Sequence, residues 1–424
     1  MNKKPNQPPK PTPQKATGQI SKRPAPPTPS QPTLAKRVPS VAPKPMVTAV
    51  ERKELREQRH SIPARGPASP VPAPAGANEA LQAEISRFNT LQSRIMLTPV
   101  NDDVEDIESA VNALPANLEN IRARGYVFKS YLEKKVETLA HQWRDLRPRV
   151  EAALPSQARS LQADAASVQN TLNRGVSAGL ALSSLESKVD AAIRNLEGMY
   201  DTLDHNVNQT QQQIDDISWT LQQAEMASFG FLATEAPVEA VPANWKKEGD
   251  KDGVDGVLML TDQRLIFEQK EEVATKKLLF VTTEKQKVQS LQWEAPVAQI
   301  EKAVGSKKGF MGKDDYLTLT CAAGACLRGA DGTPLRTADG MGRPLGTAEV
   351  HLKGESGETW QGFIGRVKSG EIAKDRTAPV DQEAVETVAN APTKCPTCGA
   401  TITQTILRGQ TEITCEYCGS IIRL

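Results

Sequence analysis

Apolar side chains recur at intervals of three and four residues between positions 79 and 221, which is the pattern of amphipathic helices. The first three stretches of this pattern stop before Pro99, Pro115 and Pro148. Because proline removes a helical hydrogen bond and its ring clashes with the preceding turn, we predict three helices that end at these prolines. The region 77–228 is therefore predicted to be all-helical.

A longer apolar stripe begins after Pro155 and continues to Leu221, with no proline before Pro237. Gly175 and Gly179 weaken the stripe. Its spacing nevertheless predicts one helix of roughly 60–70 residues, about 100 Å long. Two interpretations stay open. A coiled coil would set the oligomeric state of the protein, whereas an antiparallel bundle would bury the same stripe inside the chain.

The pattern changes to alternation near residue 240, which indicates β-strands. The best-defined hairpin has strands at 256–261 and 264–268 around the turn Asp262-Gln263. Further strands are predicted at 277–282, 288–293, 300–304, 316–321 and 348–353. Residues 358–370 then form an amphipathic helix. Several antiparallel strands followed by one helix form an α+β pattern.

A glycine-rich insertion at about 322–347 interrupts the β pattern. Its turn-forming residues predict an exposed loop or a small ribbon rather than core. Cys321 and Cys326 lie at its start, with four residues between them and no partner pair. We interpret them as ordinary small residues, with a disulfide or a second metal site as the alternatives.

The segment 256–267 (GVLMLTDQRLIF), together with the closing helix, resembles the pleckstrin-homology superfold in its GRAM-like and bacterial forms. The resemblance extends over about 245–373 and implies a pleckstrin-like domain at 240–373. Members of this superfold bind phospholipid headgroups, peptides or other proteins, and some build oligomers. No motif in the β region defines a headgroup pocket.

The N-terminal segment 1–76 holds 18 of the 30 prolines and carries a local charge of +11, although the whole chain has a net charge of +1. Such a composition cannot bury enough apolar surface to offset conformational entropy, so we predict a disordered, basic, Pro-rich arm. Acidic lipid, nucleic acid and the acidic remainder of the chain are candidate contacts, and a solubilising tail is the alternative. No secretory signal pattern and no membrane-spanning apolar run is found in the sequence.

Two cysteine pairs near the C-terminus carry the strongest chemical motif. Cys395-Pro-Thr-Cys398 and Cys415-Glu-Tyr-Cys418 are each followed by glycine, and sixteen residues separate them. A two-residue gap lets both thiolates of a pair face one ion, and four thiolates complete the tetrahedral shell of structural Zn²⁺. A redox role for the pairs is the alternative, but the βαβ setting of thioredoxin-like sites is missing from the pattern.

The region 394–424 resembles the zinc-ribbon family over its full length. The resemblance implies one structural Zn²⁺ per chain, held by the four cysteines, with iron as an adventitious substitute. Alternating residues at 401–407 and 411–414 predict a hairpin around Arg408-Gly409-Gln410. The preceding stretch, 374–393, is predicted to be a linker.

The loop between two predicted strands at 306–313 is the candidate membrane or partner contact. Lys307, Lys308 and Lys313 flank Phe310 and Met311 there. Cations near anionic headgroups with two apolar side chains beyond them suit a membrane surface, whereas a solvated loop whose Phe packs into the core is the plainer interpretation.

Catalytic patterns are not found. The four histidines are scattered, none at a ligand or triad spacing, and no phosphate-binding loop of the G-x-x-x-x-G-K-[ST] type is present. We therefore expect no enzymatic activity, no catalytic residue and no small-molecule substrate.

Together these patterns predict a multidomain, cytoplasmic interaction or scaffold protein that resembles bacterial multidomain proteins. It has a disordered arm, a helical or coiled-coil region, a pleckstrin-like domain and a zinc ribbon. Its expected partners are proteins, including a second copy of itself through the coiled coil, and the inner face of the membrane is a further candidate. The rival prediction is a nucleic-acid-binding or transcription-linked factor using the ribbon and the basic arm, and it requires strongly salt-dependent binding. The ribbon's few cations make nucleic acid the weaker partner.

Overall fold

A computed structural model describes residues 37–39, 77–247, 252–278, 281–322, 325–337 and 342–424. The predicted disordered arm therefore lies outside the described residues, apart from the short strand β1 (Arg37–Pro39), which pairs with residues 271–273 of the main sheet. None of the described helices is long and apolar enough to cross a membrane.

Four helices occupy the region 77–228 of the described chain and confirm its predicted helical character. They are α1 (Ala77–Ile95), α2 (Thr98–Ala123), α3 (Tyr131–Asn173) and α4 (Gly179–Glu225). α1 and α2 run one after the other along α4, as the hydrogen bonds from Arg87 to Glu186 and from Asn117 to Gln211 show. α3 runs antiparallel to α4, as the hydrogen bonds from Lys135 to Gln209 and from Lys188 to Asp164 show. The four helices therefore form an antiparallel bundle in which α1 and α2 together occupy one of three positions.

The prediction that Pro115, Pro148 and Pro155 bound the helices is wrong. Pro115 lies inside α2, and Pro148 and Pro155 lie inside α3. All three are exposed to solvent, where water can satisfy the carbonyl that loses its helical partner. Packing of the apolar stripe on the other side of each helix offsets the cost of the missing hydrogen bond.

The predicted helix of 60–70 residues is divided into two at Gly175. Its φ of +75° lies in the left-handed region, and its N–H donates to the Leu172 carbonyl at 2.9 Å. The Val176 N–H donates to the Thr171 carbonyl at 3.2 Å, which completes a Schellman motif and ends α3. Consequently α4 has 47 residues and a length of about 70 Å.

The structure decides between the two interpretations of the apolar stripe in favour of the bundle. The stripe of α4 is buried against α2 and α3 of the same chain; it includes Leu182, Leu185, Val189, Leu196, Leu203, Val207, Ile214 and Ile217. A coiled coil between two copies would need this same surface. The stripe is therefore core and is not free for self-association.

Eight strands of the described chain form one antiparallel sheet, which consists of β1 and seven further strands, and a helix closes it. The elements are β2 (Pro237–Trp245), β3 (Val254–Thr261), β4 (Arg264–Leu278), β5 (Val281–Pro296), β6 (Ile300–Lys308), β7 (Asp314–Cys321), β8 (Thr347–Leu352) and α5 (Gly357–Lys368). The order of these seven strands is β5-β4-β3-β2-β8-β7-β6, so β2, the first of the seven in the chain, pairs with β8, the last. This α+β arrangement confirms the predicted pleckstrin-like fold class.

The predicted hairpin around Asp262-Gln263 is confirmed, with Leu258 opposite Phe267. The strand predicted at 277–282 is wrong as a single element, because β4 ends at Leu278 and β5 begins at Val281. This stretch contains the continuous apolar run 278–281 (LLFV), which looks like one buried strand and gives no turn signal between two strands.

The insertion contributes to the core, contrary to the prediction. Leu327 and Leu345 are buried in the main hydrophobic cluster. Cys321 and Cys326 form a disulfide that ties the start of the insertion to the end of β7. Isolated β-bridges between successive turns of the insertion, such as Arg328 with Pro334, confirm the prediction that this segment forms a small β-ribbon.

Helix α5 covers the free edge of β6. The Gln361 side chain accepts the Gly305 N–H at 2.9 Å, and the Lys368 ammonium donates to the carbonyls of Ile300 and Glu301 at 2.6 and 2.9 Å. These contacts satisfy the backbone groups of an edge strand, which otherwise invite pairing with another chain.

Gly305→Ala tests this packing. A Cβ at position 305 would overlap the backbone of Gly357 and Glu358, so α5 has to move away from β6. We expect a loss of about 1–3 kcal/mol in the free energy of unfolding. Gly362→Ala, on α5 itself with no atom within 4 Å of the new Cβ, is the matched control and should gain about 0.5–1 kcal/mol. Urea unfolding followed by tryptophan fluorescence measures both, and equal effects would contradict the prediction.

Beyond α5 the chain forms a short 3₁₀ turn and then α6 (Gln382–Asn390), within the stretch predicted to be a linker. The Asp381 carboxylate accepts the Glu383 N–H at 3.0 Å and caps the helix. Two further strands, β9 (Glu412–Thr414) and β10 (Ile421–Arg423), form the C-terminal hairpin.

Candidate functional site

The four C-terminal cysteines lie together. Cys395 Sγ is 3.7 Å from Cys418 Sγ, and Cys398 Sγ is 3.7 Å from Cys415 Sγ. All four sulfurs lie within 4.8 Å of one another. Tetrahedral Zn²⁺ with Zn–S bonds of about 2.3 Å places its sulfurs about 3.8 Å apart. The cluster could therefore hold one metal ion of this size.

The two knuckles have the same backbone geometry. The first cysteine of each pair donates its N–H to the carbonyl five residues later, at 2.8 Å from Cys395 and 2.9 Å from Cys415. Gly399 and Gly419 follow the second cysteines with φ of +74° and +72°. A residue with a Cβ is strained in this region, so glycine is what lets each chain segment turn back around its sulfurs.

Hydrogen-bond donors favour the thiolate at two of the sulfurs, Cys395 and Cys418. At Cys398 the Ala400 N–H acts in the same direction, but the neighbouring cysteine sulfurs outweigh it and raise the pKa of this thiol to about 12. The Ser420 hydroxyl, 3.1 Å from Cys418 Sγ, and the Ser420 N–H lower the pKa of Cys418 to about 6. The backbone N–H groups of Cys398 and Thr397 lower the pKa of Cys395. The thiolate is the form that binds a metal ion, so these donors prepare the site for one.

The predicted hairpin between 401–407 and 411–414 is wrong. Strand β9 pairs with β10, and the second knuckle forms the turn between them. The ribbon buries only a small apolar cluster; it consists of Cys395, Ile413, Cys415 and Ile422. So small a core does not hold a unit of this size together, and two of its four members are themselves cysteines of the cluster, Cys395 and Cys415.

The segment 406–408 extends away from the ribbon and docks on the chain that joins α4 to β2. Ile406 accepts the Ala233 N–H at 3.1 Å, and Arg408 donates its N–H to the Phe231 carbonyl at 2.8 Å. The Arg408 guanidinium lies 5.5 Å from the centre of the Phe231 ring and donates to the Glu235 carbonyl. The ribbon is therefore attached to the rest of the protein through its loop, away from the cysteines.

A buried ion pair lies beneath this docking site. The side chain of Glu235 is 0% exposed and that of Arg264 is 8% exposed, with 2.6 Å between them. Arg264 also pairs with Glu294 and donates to the Gly230 carbonyl at 2.9 Å. The carboxylates raise the pKa of Arg264 although its burial alone would lower it. Sequence patterns did not reveal this network, because its members are distant in the chain.

The loop between α2 and α3 joins the bundle to the sheet. Tyr126 and Phe128 are buried, and the Tyr126 hydroxyl donates to the Val238 carbonyl at 3.1 Å. The Lys129 ammonium lies 3.0 Å from the Glu239 carboxylate. Desolvation of the phenol raises the pKa of Tyr126. Bundle and sheet thus share one continuous core, which the sequence patterns did not indicate.

The residues predicted for membrane or partner contact lie on the turn between β6 and β7. Phe310 is 84% and Met311 79% exposed. Lys307 and Lys313 are exposed beside them, whereas Lys308 pairs with Glu349. The Phe310 side chain does not pack into the core, contrary to the plainer interpretation of this loop.

A cavity of about 400 Å³ lies between the ribbon turn, α6 and the segment 233–236. Its two arginines are engaged by the protein: Arg376 donates to Asp262 at 2.8 Å, and Arg408 to the Glu235 carbonyl. Apart from the four ribbon cysteines, no group of three or more metal-ligating side chains is found within the described ranges. His141 lies 3.1 Å from the Asp145 carboxylate, whereas His351 lies 3.9 Å from the Asp314 carboxylate and stacks on the Tyr316 ring.

No protein-family model and no curated protein sequence matches the chain. Among solved structures, it is similar to the ORP8 PH domain at 15% identity, over 31% of this chain and 96% of that chain, with a TM-score of 0.19. It is also similar to the DH/PH domains of PDZ-RhoGEF in complex with activated RhoA, at 12% identity over 70% and 96% of the two chains, with a TM-score of 0.22. A mutant of the p115-RhoGEF DH/PH domains is 12% identical over 78% of this chain and 100% of that chain, with a TM-score of 0.20.

Proposed function

We propose that this protein is a non-enzymatic scaffold in which one structural zinc ion organises the C-terminal ribbon and the pleckstrin-like domain is the interaction module. The observation that supports it best is the cysteine cluster: all four sulfurs lie within 4.8 Å of one another, and two of their separations, at 3.7 Å, match those of a tetrahedral zinc–thiolate site.

A structural role follows from the ligand set. Four thiolates fill all four positions, so Cys395, Cys398, Cys415 and Cys418 leave no position for a catalytic water. Zinc has no redox chemistry of its own, and it would supply the stability that the small apolar cluster of the ribbon does not.

The scaffold role is supported by the way the modules join. The ribbon loop docks through Arg408, and the α2–α3 loop inserts Tyr126 and Phe128 between the bundle and the sheet. Because the α4 stripe is buried within the chain, we do not include self-association through a coiled coil in the proposal. The protein is proposed to present its surfaces in a constant relative orientation.

Native mass spectrometry of the full-length protein, expressed with added zinc, tests the proposal. We expect one zinc ion per chain and a monomeric mass. A protein without zinc would contradict the structural metal and favour a redox role for the cysteines. Salt-dependent retention on DNA that disappears when residues 1–76 are deleted would favour the nucleic-acid-binding class instead.

A further inference from the structure

The turn between β6 and β7 has a strained backbone that presents its apolar side chains outward. Gly309, Met311 and Gly312 all have positive φ, at +76°, +61° and +65°. Such a conformation is unfavourable for methionine, and strained residues of this kind concentrate at functional sites. Here the strain places Phe310 and Met311 side by side at the point of the hairpin. We call the segment 307–313 the tip.

The acidic and basic side chains around the tip differ in their surroundings. The Asp314 carboxylate folds back over Gly309, Asp315 accepts the Gly357 N–H at 3.2 Å, and Glu349 is paired with Lys308. The acidic groups are thus tied to the protein, whereas Lys307 and Lys313 extend into solvent on either side of the apolar pair. An anionic partner that approaches the tip therefore contacts the ammonium groups of Lys307 and Lys313 and not the carboxylates.

Other surfaces of the pleckstrin-like domain are covered by this chain. Trp219 of α4 packs with Ala240, Val257 and Met259 on the outer face of β2 and β3. Helix α5 covers the edge of β6. Among the described side chains of β2 to α5, Phe310 and Met311 are the large apolar ones that are exposed.

The dimensions of the tip favour a membrane over a protein. A stable protein interface buries about 800 Å² on each partner over a broad surface, and two side chains on a pointed turn supply much less. A bilayer sets no such minimum, because apolar side chains enter between headgroups while lysines remain at the anionic surface. Resting on the proposed interaction role of this domain, we propose that the tip inserts Phe310 and Met311 into the surface of an anionic membrane.

Vesicle co-sedimentation of the full-length protein tests the proposal. Phosphatidylcholine vesicles with and without phosphatidylserine are compared at low and high salt, because the basic arm adds charge-driven binding that salt screens. We expect binding to phosphatidylserine vesicles that persists at high salt. Phe310→Ser/Met311→Ser should weaken this binding at least tenfold. Leu180→Ser, which removes a side chain that is 93% exposed on the bundle, should leave it unchanged.

Charge reversal at the tip has its own matched control. Lys307→Glu/Lys313→Glu should weaken binding several-fold more than Lys134→Glu/Lys374→Glu, which changes the net charge equally at exposed positions elsewhere. Equal effects of the two double variants would overturn the proposal, since they would show that vesicle binding depends on the net charge of the protein and not on the position of the lysines.

A tryptophan at the tip reports insertion directly. The five native tryptophans are buried at 0–4% exposure, so in Phe310→Trp the new side chain is the one that quenchers in the lipid phase can reach. We expect brominated lipid to quench this variant and not the wild-type protein. The proposal would be overturned if the protein did not bind vesicles at high salt, or if the tip variants bound them as strongly as the wild-type protein. It would also be overturned if the tip bound a protein and did not bind a membrane. None of these outcomes alters the zinc content, so the proposed structural metal is tested separately.

Discussion

Replacing Cys415 with serine is expected to reduce bound zinc from one ion per chain to nearly none and to unfold the ribbon. Structural zinc contributes apparent binding free energies of about 10–16 kcal/mol in small zinc-dependent units, and this free energy is folding free energy. The remaining apolar cluster of the ribbon is too small to fold by itself. Native mass spectrometry measures the zinc, and hydrogen exchange measures protection within 394–424.

The control is the second cysteine pair. Cys321→Ser/Cys326→Ser removes the disulfide of the insertion and should leave the zinc content at one per chain. In Cys415→Ser the amides of the bundle and the sheet should keep their protection, because the ribbon docks through its loop. A Cys415→Ser protein that retains a full zinc ion, or a protected ribbon without zinc, would contradict the prediction.

Arg264→Met is expected to destabilise the protein by about 3–5 kcal/mol, since it leaves the Glu235 carboxylate buried without its positive partner. The side chain of Glu235 has no exposure to water, so solvent does not compensate the lost charge. Denaturant unfolding followed by circular dichroism measures the effect. Adding Glu235→Gln should restore part of the stability, because it removes the uncompensated charge.

An exposed ion pair supplies the comparison. Lys134 and Glu137 are 3.2 Å apart on α3, with 80% and 73% of their side chains exposed. Lys134→Met should change the free energy of unfolding by no more than about 0.5 kcal/mol, since water and salt screen such pairs. If Arg264→Met costs no more than Lys134→Met, the buried network does not stabilise the fold.

Local patterns predicted the features that depend on neighbours in the chain. The hairpin at Asp262-Gln263 and the closing helix followed from alternation and from a three-to-four spacing. The cysteine cluster followed from two Cys-x-x-Cys pairs, because each knuckle is a local turn and a shared ion requires the pairs to meet. Exposure of Phe310 was only one of two interpretations.

Helix boundaries were predicted less well, for a reason that proline and glycine illustrate. Proline lowers local helix propensity, but Pro115 and Pro148 lie on solvent-facing sides of helices whose other sides are held by packing. Glycine weakens a helix only mildly, yet Gly175 ends one, because the bundle requires the chain to reverse there. Tertiary contacts thus outweighed local preference at both kinds of residue.

The sequence by itself determined the succession of a helical region, an antiparallel β domain with a closing helix and a four-cysteine ribbon, because each depends on periodicity or on ligand spacing. Only the tertiary structure decided that the α4 stripe is core, that Tyr126 and Phe128 join the bundle to the sheet, and that Glu235 pairs with Arg264. These contacts connect residues far apart in the chain. Their burial and charge compensation arise only when the whole chain has folded.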